Sequence, residues 1–215
     1  MKYKLLIFDW DGTLSDSHSA VVACMQHTAN ELQLPCPTPE SIRTAYGLPL
    51  DKMIEKIFVN VESQLFATKF YENIIHYRDQ EQLFHDAMQT LQYLQQKKYL
   101  MAIATNKERK ELLFALDNFN LHNYFCAIRC GDDGFVKPQP EVLLNLLDEL
   151  SVKPQNAVMI GDSIYDMQVA QRANVDAIGI SCEASRKQEL LQHKPIVCVN
   201  SLTELQKFLA PDTDL

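Results

Sequence analysis

The chain lacks a long apolar run. No stretch approaches the ~18 to 20 consecutive apolar residues of a membrane span. The run behind Lys2 and Lys4 is cut by Asp9, too early for the apolar region of a signal peptide. Positive charge is also short: 20 basic against 28 acidic residues give a formal net charge of −8. That argues against nucleic acid or an anionic membrane as the main partner, while a local site can still be positive. Paired cysteines are missing. Cys24, Cys36, Cys126, Cys130, Cys182 and Cys198 show no Cys-x-x-Cys spacing, and nothing completes a zinc set around Cys126 and Cys130. Buried free thiols in a reducing cytoplasm are the expectation. The histidines show no metal-ligand spacing, and no internal repeat or low-complexity segment occurs.

What is present fits a globular α/β chain. With 215 residues, 47% of them hydrophobic and 22% charged, there is enough for one core, or one core plus a small inserted domain. Leu5-Leu6-Ile7-Phe8 runs straight into Asp9-Trp10-Asp11-Gly12-Thr13. A continuous apolar run of this kind reads as a strand of a buried parallel sheet. Ligands of open α/β sheets bind just beyond the carboxyl ends of such strands. The Asp, Asp, Gly and Thr together would arise by chance on the order of once in 100,000 start positions. A calcium loop fits poorly: counted from Asp9, Gly12 is at position four and Ala20 at position twelve, where an EF-hand needs Gly at six and Glu at twelve. A hairpin turn would not need the first Asp.

Residues 16–82 read as an all-helical block of about four short helices: 17–33, a second from Thr38-Pro39-Glu40 to Gly47, then 50–59 and 63–78. From residue 87 the rhythm changes. Helices at 87–97, 107–119, 140–150, 166–173, 185–192 and 201–209 alternate with apolar runs at 100–104, 126–130, 157–160, 176–180 and 196–199. This implies a doubly wound parallel sheet with right-handed crossovers and a helical insertion perched above the strand ends. The expected division is a core of residues 1–15 and 83–215 and a helical cap of 16–82. Residues 211–215 are expected to fray.

Three strand ends then carry polar groups: Asp9/Asp11, Thr105/Asn106 and Asp162/Ser163. A parallel sheet brings them to one edge, and Lys137 can reach that edge from a loop. Clustered carboxylates repel: at ~4 Å and an effective dielectric of ~20, a pair costs about 4 kcal/mol. A hard divalent cation such as Mg²⁺, with oxygen ligands, would offset this. With a lysine and a threonine hydroxyl added, the set suits phosphoryl transfer, which needs positioning and charge neutralisation most. A carboxylate can serve as nucleophile, and a second can act as general acid and base.

In these four segments the chain resembles the haloacid dehalogenase-like superfamily of aspartate-nucleophile phosphatases, in its branch with a small helical cap. The segments are Asp9-Trp10-Asp11-Gly12-Thr13, Ala102-Ile103-Ala104-Thr105-Asn106-Lys107, Lys137-Pro138-Gln139-Pro140-Glu141 and Gly161-Asp162-Ser163-Ile164-Tyr165-Asp166. The resemblance implies a Rossmann-like core and assigns roles. Asp9 would be the nucleophile and Asp11 the general acid/base. Thr105, Asn106 and Lys137 would bind the phosphoryl group. Asp9, Asp162 and the backbone carbonyl of Asp11 would hold Mg²⁺, and Asp166 would orient Lys137 or metal-bound water. The implied enzyme is a cytoplasmic Mg²⁺-dependent phosphatase of small organic phosphomonoesters, most similar to phosphoglycolate phosphatases, working through an aspartyl-phosphate as monomer or homodimer. Its partner is a small phosphorylated metabolite, with no nucleic acid and no membrane.

Two alternatives stand beside it. Sugar phosphomutases of this fold place a His in the first cap helix, where this chain has Val21 with His18 out of register. A non-catalytic phosphometabolite-binding protein would be expected to have lost Asp9, Asp11 or Lys137. Arg43, Lys52, Lys56 and Arg78 are the cap candidates for meeting a substrate carboxylate. The chain departs from its relatives at Leu83-Phe84-His85-Asp86, where Leu-Phe-Pro-Gly is frequent, and at Lys98 and Asn174, where Gly is common. These are read as hinge and turn positions, which leaves cap motion and substrate range open.

Overall fold

The computed structural model describes residues 2–209. The expected frayed end at 211–215 lies outside the described residues. Strand β1 (Leu5–Phe8) is followed by a two-residue strand β2 (Ser15–Asp16). Four helices come next: α1 (His18–Glu31), α2 (Pro39–Arg43), α3 (Leu50–Ile57) and α4 (Ser63–Ile74). Strand β3 (Gln82–Leu83) returns the chain by pairing antiparallel with β2, Ser15 opposite Leu83. The helical block is thus closed at its base by a short ribbon, where the sequence suggested helices alone. The ribbon is too short to carry an alternating pattern.

The second half alternates as expected: α5 (Ala87–Gln96), β4 (Leu100–Ala104), α6 (Arg109–Asn118), β5 (Ala127–Arg129), α7 (Glu141–Glu149), β6 (Ala157–Gly161), α8 (Ile164–Arg172), β7 (Asp176–Ile180), α9 (Ala184–Gln192), β8 (Val197–Val199) and α10 (Leu202–Leu209). Helix α8 begins two residues before the expected start. Ser163 caps it by accepting from Asp166 N, and Asp166 accepts back from Ser163 N.

Six strands form one sheet in the order β5-β4-β1-β6-β7-β8, all parallel. β1 lies between β4 and β6, with Leu5 level with Leu100 on one side and Ala157 on the other. The connection from β1 leads to β4, and the chain later crosses to β6 on the far side of β1. The end of β1 is therefore the switch point where a ligand crevice forms.

Both faces of the sheet are covered. Leu6, Phe8, Met101, Ile103, Val158 and Ile160 pack under α5, α6 and α10. Leu5, Ile7, Ala102 and Met159 pack under α7 and α8. This alternation of one apolar run between two helical layers is why every residue of β1 is buried. Helices α1–α4 gather around a separate apolar cluster that includes Met25, Ile42, Ile54, Phe66 and Phe70. All six cysteines are unpaired: Cys24, Cys130 and Cys198 are buried, but Cys36, Cys126 and Cys182 are exposed, so the expected burial holds for only three.

Lys98 and Asn174 have positive φ, 64° and 55°. They stand one residue past the caps of α5 and α8, where a left-handed residue closes a helix. They are helix terminators, not hinges. Of the segment 83–86, Phe84 N donates to Leu14 O, and the buried Asp86 carboxylate accepts from Thr203 N and Oγ1. Among the described residues, no helix is long and apolar enough to cross a membrane.

Candidate active site

Asp9 is the first residue past β1. Its N–H still donates to Ile160 O at 2.9 Å, so the sheet fixes its backbone. Its side chain is 3% exposed, and Oδ1 accepts from Trp10 N at 2.7 Å. The Lys137 ammonium lies 2.8 Å from the same oxygen and 2.6 Å from Asp166 Oδ1. Lys137 is 1% exposed, which excludes the solvated loop lysine that isolated sequence context would suggest. Asp166 is fully buried; its other oxygen accepts from Ser163 N at 3.0 Å and Ser163 Oγ at 2.6 Å. Asp166 therefore both caps α8 and anchors Lys137.

Carboxylate oxygens of Asp9, Asp162 and Asp166 come within 4.8 Å of one another. Thr13 Oγ1 donates to Asp162 Oδ1 at 3.4 Å, and Arg186 donates to Asp162 Oδ2 and to its carbonyl, each at 3.0 Å. Three carboxylates thus face two cations. Burial, then Asp166, push the Asp9 carboxyl well above the usual range, with Lys137 opposing. Burial likewise pushes Asp162 up to about 6, against the pull of Arg186. For Lys137 burial works against the charge, but Asp166 and Asp9 outweigh it and hold the ammonium protonated. One more cation would relieve this surplus of negative charge, and all-oxygen donors suit a hard divalent ion. Gly12, at φ +82°, makes room for the cluster: a Cβ there would lie 2.5 Å from Asp162 Oδ2.

Asp11 stands apart from that cluster. Its Oδ1 accepts from Ser17 Oγ at 2.6 Å and from Lys107 Nζ at 3.0 Å. Its side chain is thus held by Ser17 and Lys107 and is not among the three clustered carboxylates. Thr105 is 3% exposed, and its Oγ1 accepts from Lys107 N at 3.1 Å, leaving its own proton to donate. It does not cap α6, which starts at Arg109 after Glu108.

Asn106 lines the same cavity as Asp9, Asp11 and Thr105, with its side chain bonded to the protein. Its amide donates to Gly47 O at 2.9 Å and Lys137 O at 3.3 Å, and its oxygen accepts from Lys137 N at 2.8 Å. The side chain is spent on holding the Lys137 loop and touching the helical block.

Three residues escaped the sequence reading. Lys107 Nζ also reaches Glu81 Oε2 at 3.2 Å, and Glu81 in turn accepts from Trp10 Nε1 and Ser15 Oγ, each at 2.7 Å. Lys107 is held protonated by Asp11 and Glu81 in spite of burial. Arg186 is the third, on the polar helix α9. The position of Lys107, one residue past a strand-end Thr-Asn, was the available signal. Glu81 and Arg186 carried none, being charged residues in ordinary helical and loop surroundings.

Two cavities flank the carboxylates. The smaller, about 100 Å³, is reached by Asp9, Asp11, Thr105 and Lys137 from the sheet edge, and is roofed by α1, α3, α4 and the loop after Gly47. The larger, about 560 Å³, opens on the Asp162 side past Arg186, Arg43 and His18. Val21 lines the smaller cavity, whereas His18 lines the larger, with its Nε2 buried and without a hydrogen-bond partner. None of the four expected cap cations lines the smaller cavity. Arg43 pairs with Glu40 and Glu183, Lys52 with Glu55, Lys56 donates to Thr44 O, and Arg78 pairs with Glu111. Helical surfaces carry many such charges, and these found local partners.

Comparison with known proteins agrees with this geometry. The family model for haloacid dehalogenase-like hydrolases matches residues 6–180. A phosphoglycolate phosphatase of Agrobacterium fabrum (strain C58 / ATCC 33970) is 32% identical over 186 residues, covering 82% of this chain and 80% of its own. The pyrophosphatase PpaX of Bacillus mycoides (strain KBAB4) is 25% identical over 211 residues, covering 98% of each. Among solved structures, a protein of Bacteroides fragilis assigned to the haloacid dehalogenase-like hydrolases superimposes with a TM-score of 0.90 at 26% identity, covering 95% of this chain and all of its own.

Proposed function

The chain belongs to the haloacid dehalogenase-like hydrolases as a phosphatase of that family, and from that premise we propose that it hydrolyses small phosphomonoesters with Mg²⁺ through a phosphorylated Asp9. The single observation carrying this reading is the Asp9–Lys137–Asp166 chain, buried at the end of β1 with its members 2.6–2.8 Å apart.

Lys137 holds Asp9 in place and offsets the charge of an arriving phosphoryl group. Thr105, with its proton free, donates to a phosphoryl oxygen. Asp9 attacks phosphorus, forming the acyl phosphate and releasing the alcohol oxygen. Asp11, held by Ser17 and Lys107 on the alcohol side, gives that oxygen a proton. It then takes one from the water that attacks the acyl phosphate, returning Asp9 and inorganic phosphate. The carboxylates of Asp9 and Asp162 and the carbonyl of Asp11 are the groups that would hold Mg²⁺. When bound, the ion would neutralise phosphoryl oxygens and the surplus carboxylate charge.

Residues 16–82 act as the cap over the core of 1–15 and 83–215. The contacts Asn106 Nδ2 to Gly47 O and Arg43 to Glu183, at 2.9 and 2.6 Å, draw it onto the core. A closed cap shuts bulk water out of the first transfer. Val21, where a phosphomutase would present histidine, supports hydrolysis over phosphoryl shuttling. The intact Asp9, Asp11 and Lys137 support turnover over binding alone. The two named relatives share removal of a phosphoryl group, and that shared step is what is carried over here. The site of action is the cytoplasm, on a small phosphorylated metabolite, with no nucleic acid or membrane involved.

The test is phosphate release from sugar phosphates, nucleoside monophosphates, phosphoglycolate, pyrophosphate and an aryl phosphate, with Mg²⁺ and with EDTA. Release that needs Mg²⁺ is the expected result. Folded protein that releases nothing from any of them overturns the reading.

A further inference from the structure

Resting on the phosphatase reading, we infer that the substrate's leaving group is a small, uncharged alcohol, and that leaving groups bearing a carboxylate or a second phosphate are discriminated against.

The leaving oxygen must meet Asp11, and Asp11 lines the smaller cavity, not the larger. The alcohol therefore occupies that space of about 100 Å³. Its roof is mostly apolar, with Val21, Leu48, Leu50, Met53, Phe70 and Ile74, and the two tyrosines among them, Tyr46 and Tyr71, have hydroxyls already paired with Ser17 and Glu108. Lys107 and Lys137 are the two cations lining it among the described residues. Both are committed, Lys137 to Asp9 and Asp166, Lys107 to Asp11 and Glu81. The remaining charged groups on its wall are Glu108 and Glu111. Glu111 is held by Arg78, while Glu108 partners the Tyr71 hydroxyl.

An anionic group two bonds beyond the phosphate ester would be buried largely against methyl and phenyl groups, on a wall where the four carboxylates of Asp9, Asp11, Glu108 and Glu111 outnumber two ammonium groups that are each already shared between two carboxylates. Burying a charge without a partner is strongly unfavourable. The guanidinium of Arg43 lines the larger cavity, not this one, and is paired with Glu40 and Glu183. A hydroxymethyl or short alkyl group carries no such penalty and gains from apolar contact.

The experiment measures kcat/KM of the full chain with Mg²⁺ for four substrates. 2-Hydroxyethyl phosphate and propyl phosphate are neutral in the leaving group, while phosphoglycolate (the isostere of the first) and pyrophosphate are anionic. The neutral pair is expected to lead phosphoglycolate by about tenfold or more, mostly in KM. Leu48 is half-buried, in a loop at the roof. Leu48→Lys is expected to narrow the gap at least about threefold by improving phosphoglycolate, with melting temperature confirming the fold. Phosphoglycolate or pyrophosphate used as well as the neutral pair, with Leu48→Lys changing nothing, overturns the inference and leaves the phosphatase reading standing. No release from any of the four overturns both.

Discussion

At the sheet edge, Asp9, Lys137, Asp162 and Asp166 are buried within reach of one another, and three carboxylates share two cations, Lys137 and Arg186. On the roof facing them, the cavity wall is mostly aliphatic and aromatic, and none of the cations Arg43, Lys52, Lys56 and Arg78 lines it, Arg78 being paired with the wall residue Glu111. The edge is preorganised for a charge-rich transition state, so its electrostatics need little rearrangement at the moment of reaction. The roof contributes shape and exclusion of water. On the proposed reading, chemistry belongs to the sheet edge and selection to the roof. Damage to either should have a different signature.

The largest effect should come from the edge. Asp9→Asn is expected to lower phosphate release by about a thousandfold or more while the protein still folds, because the nucleophile is lost and the amide is nearly isosteric. A variant that keeps parental turnover would remove Asp9 from the mechanism. Lys137→Met is expected to abolish activity and also to destabilise the metal-free protein by about 3–5 kcal/mol, since it leaves three buried carboxylates with one cation. Chemical denaturation in EDTA measures this, and adding Mg²⁺ should recover part of the loss. A stability change below about 1 kcal/mol would mean the cluster is far better solvated than its burial implies.

A pH experiment separates Asp162 from the rest. Its carboxyl is held at about 6 in the fold, above the 3.8 of an ordinary aspartate. The folded state therefore holds a proton that the unfolded chain gives up between those values. That contribution to stability is present at low pH and is lost as pH rises through about 6, worth about 3 kcal/mol. In EDTA, Asp162→Asn should thus gain on the parent between pH 4.5 and 7.5. Denaturation curves that stay parallel across that range would show that Asp162 is not strained by its surroundings.

The roof should give a smaller, different result. Gly47 has φ +89°, and a Cβ there would lie 2.9 Å from Ser163 Cβ. Gly47→Ala is expected to hinder seating of the cap and raise KM several-fold, with a melting temperature lower by a few degrees from the strained alanine at positive φ. A loss in kcat as deep as that of Lys137→Met would mean that the roof also shapes the transition state.

How much the sequence discloses follows the same division. Asp9, Thr105 and Asp162 were legible because each ends an apolar run, and a parallel sheet must bring such ends together. Lys137 was legible as a loop residue able to reach that edge, and the resemblance gave it a role; its burial needed the structure. For Asn106 the place at the edge was legible, but not which way the amide turns, toward Gly47 and Lys137. Lys107 had a signal in its place after a strand end, but its partner did not, since it meets Asp11 96 residues away; Glu81 and Arg186 had none, and Arg186 meets Asp162 24 residues away. The cap cations were misjudged for a related reason. A lysine or arginine on a helix finds acidic neighbours one turn away more readily than it finds a cavity.

The most direct test traps the phosphorylated residue. The protein is mixed with Mg²⁺ and a turned-over substrate, quenched, and treated with borohydride, which reduces an acyl phosphate to an alcohol. Peptide mass spectrometry should then find homoserine at position 9, only when substrate and Mg²⁺ are both present. Reduction at another carboxylate, or none while phosphate is being released, would contradict Asp9 as the nucleophile.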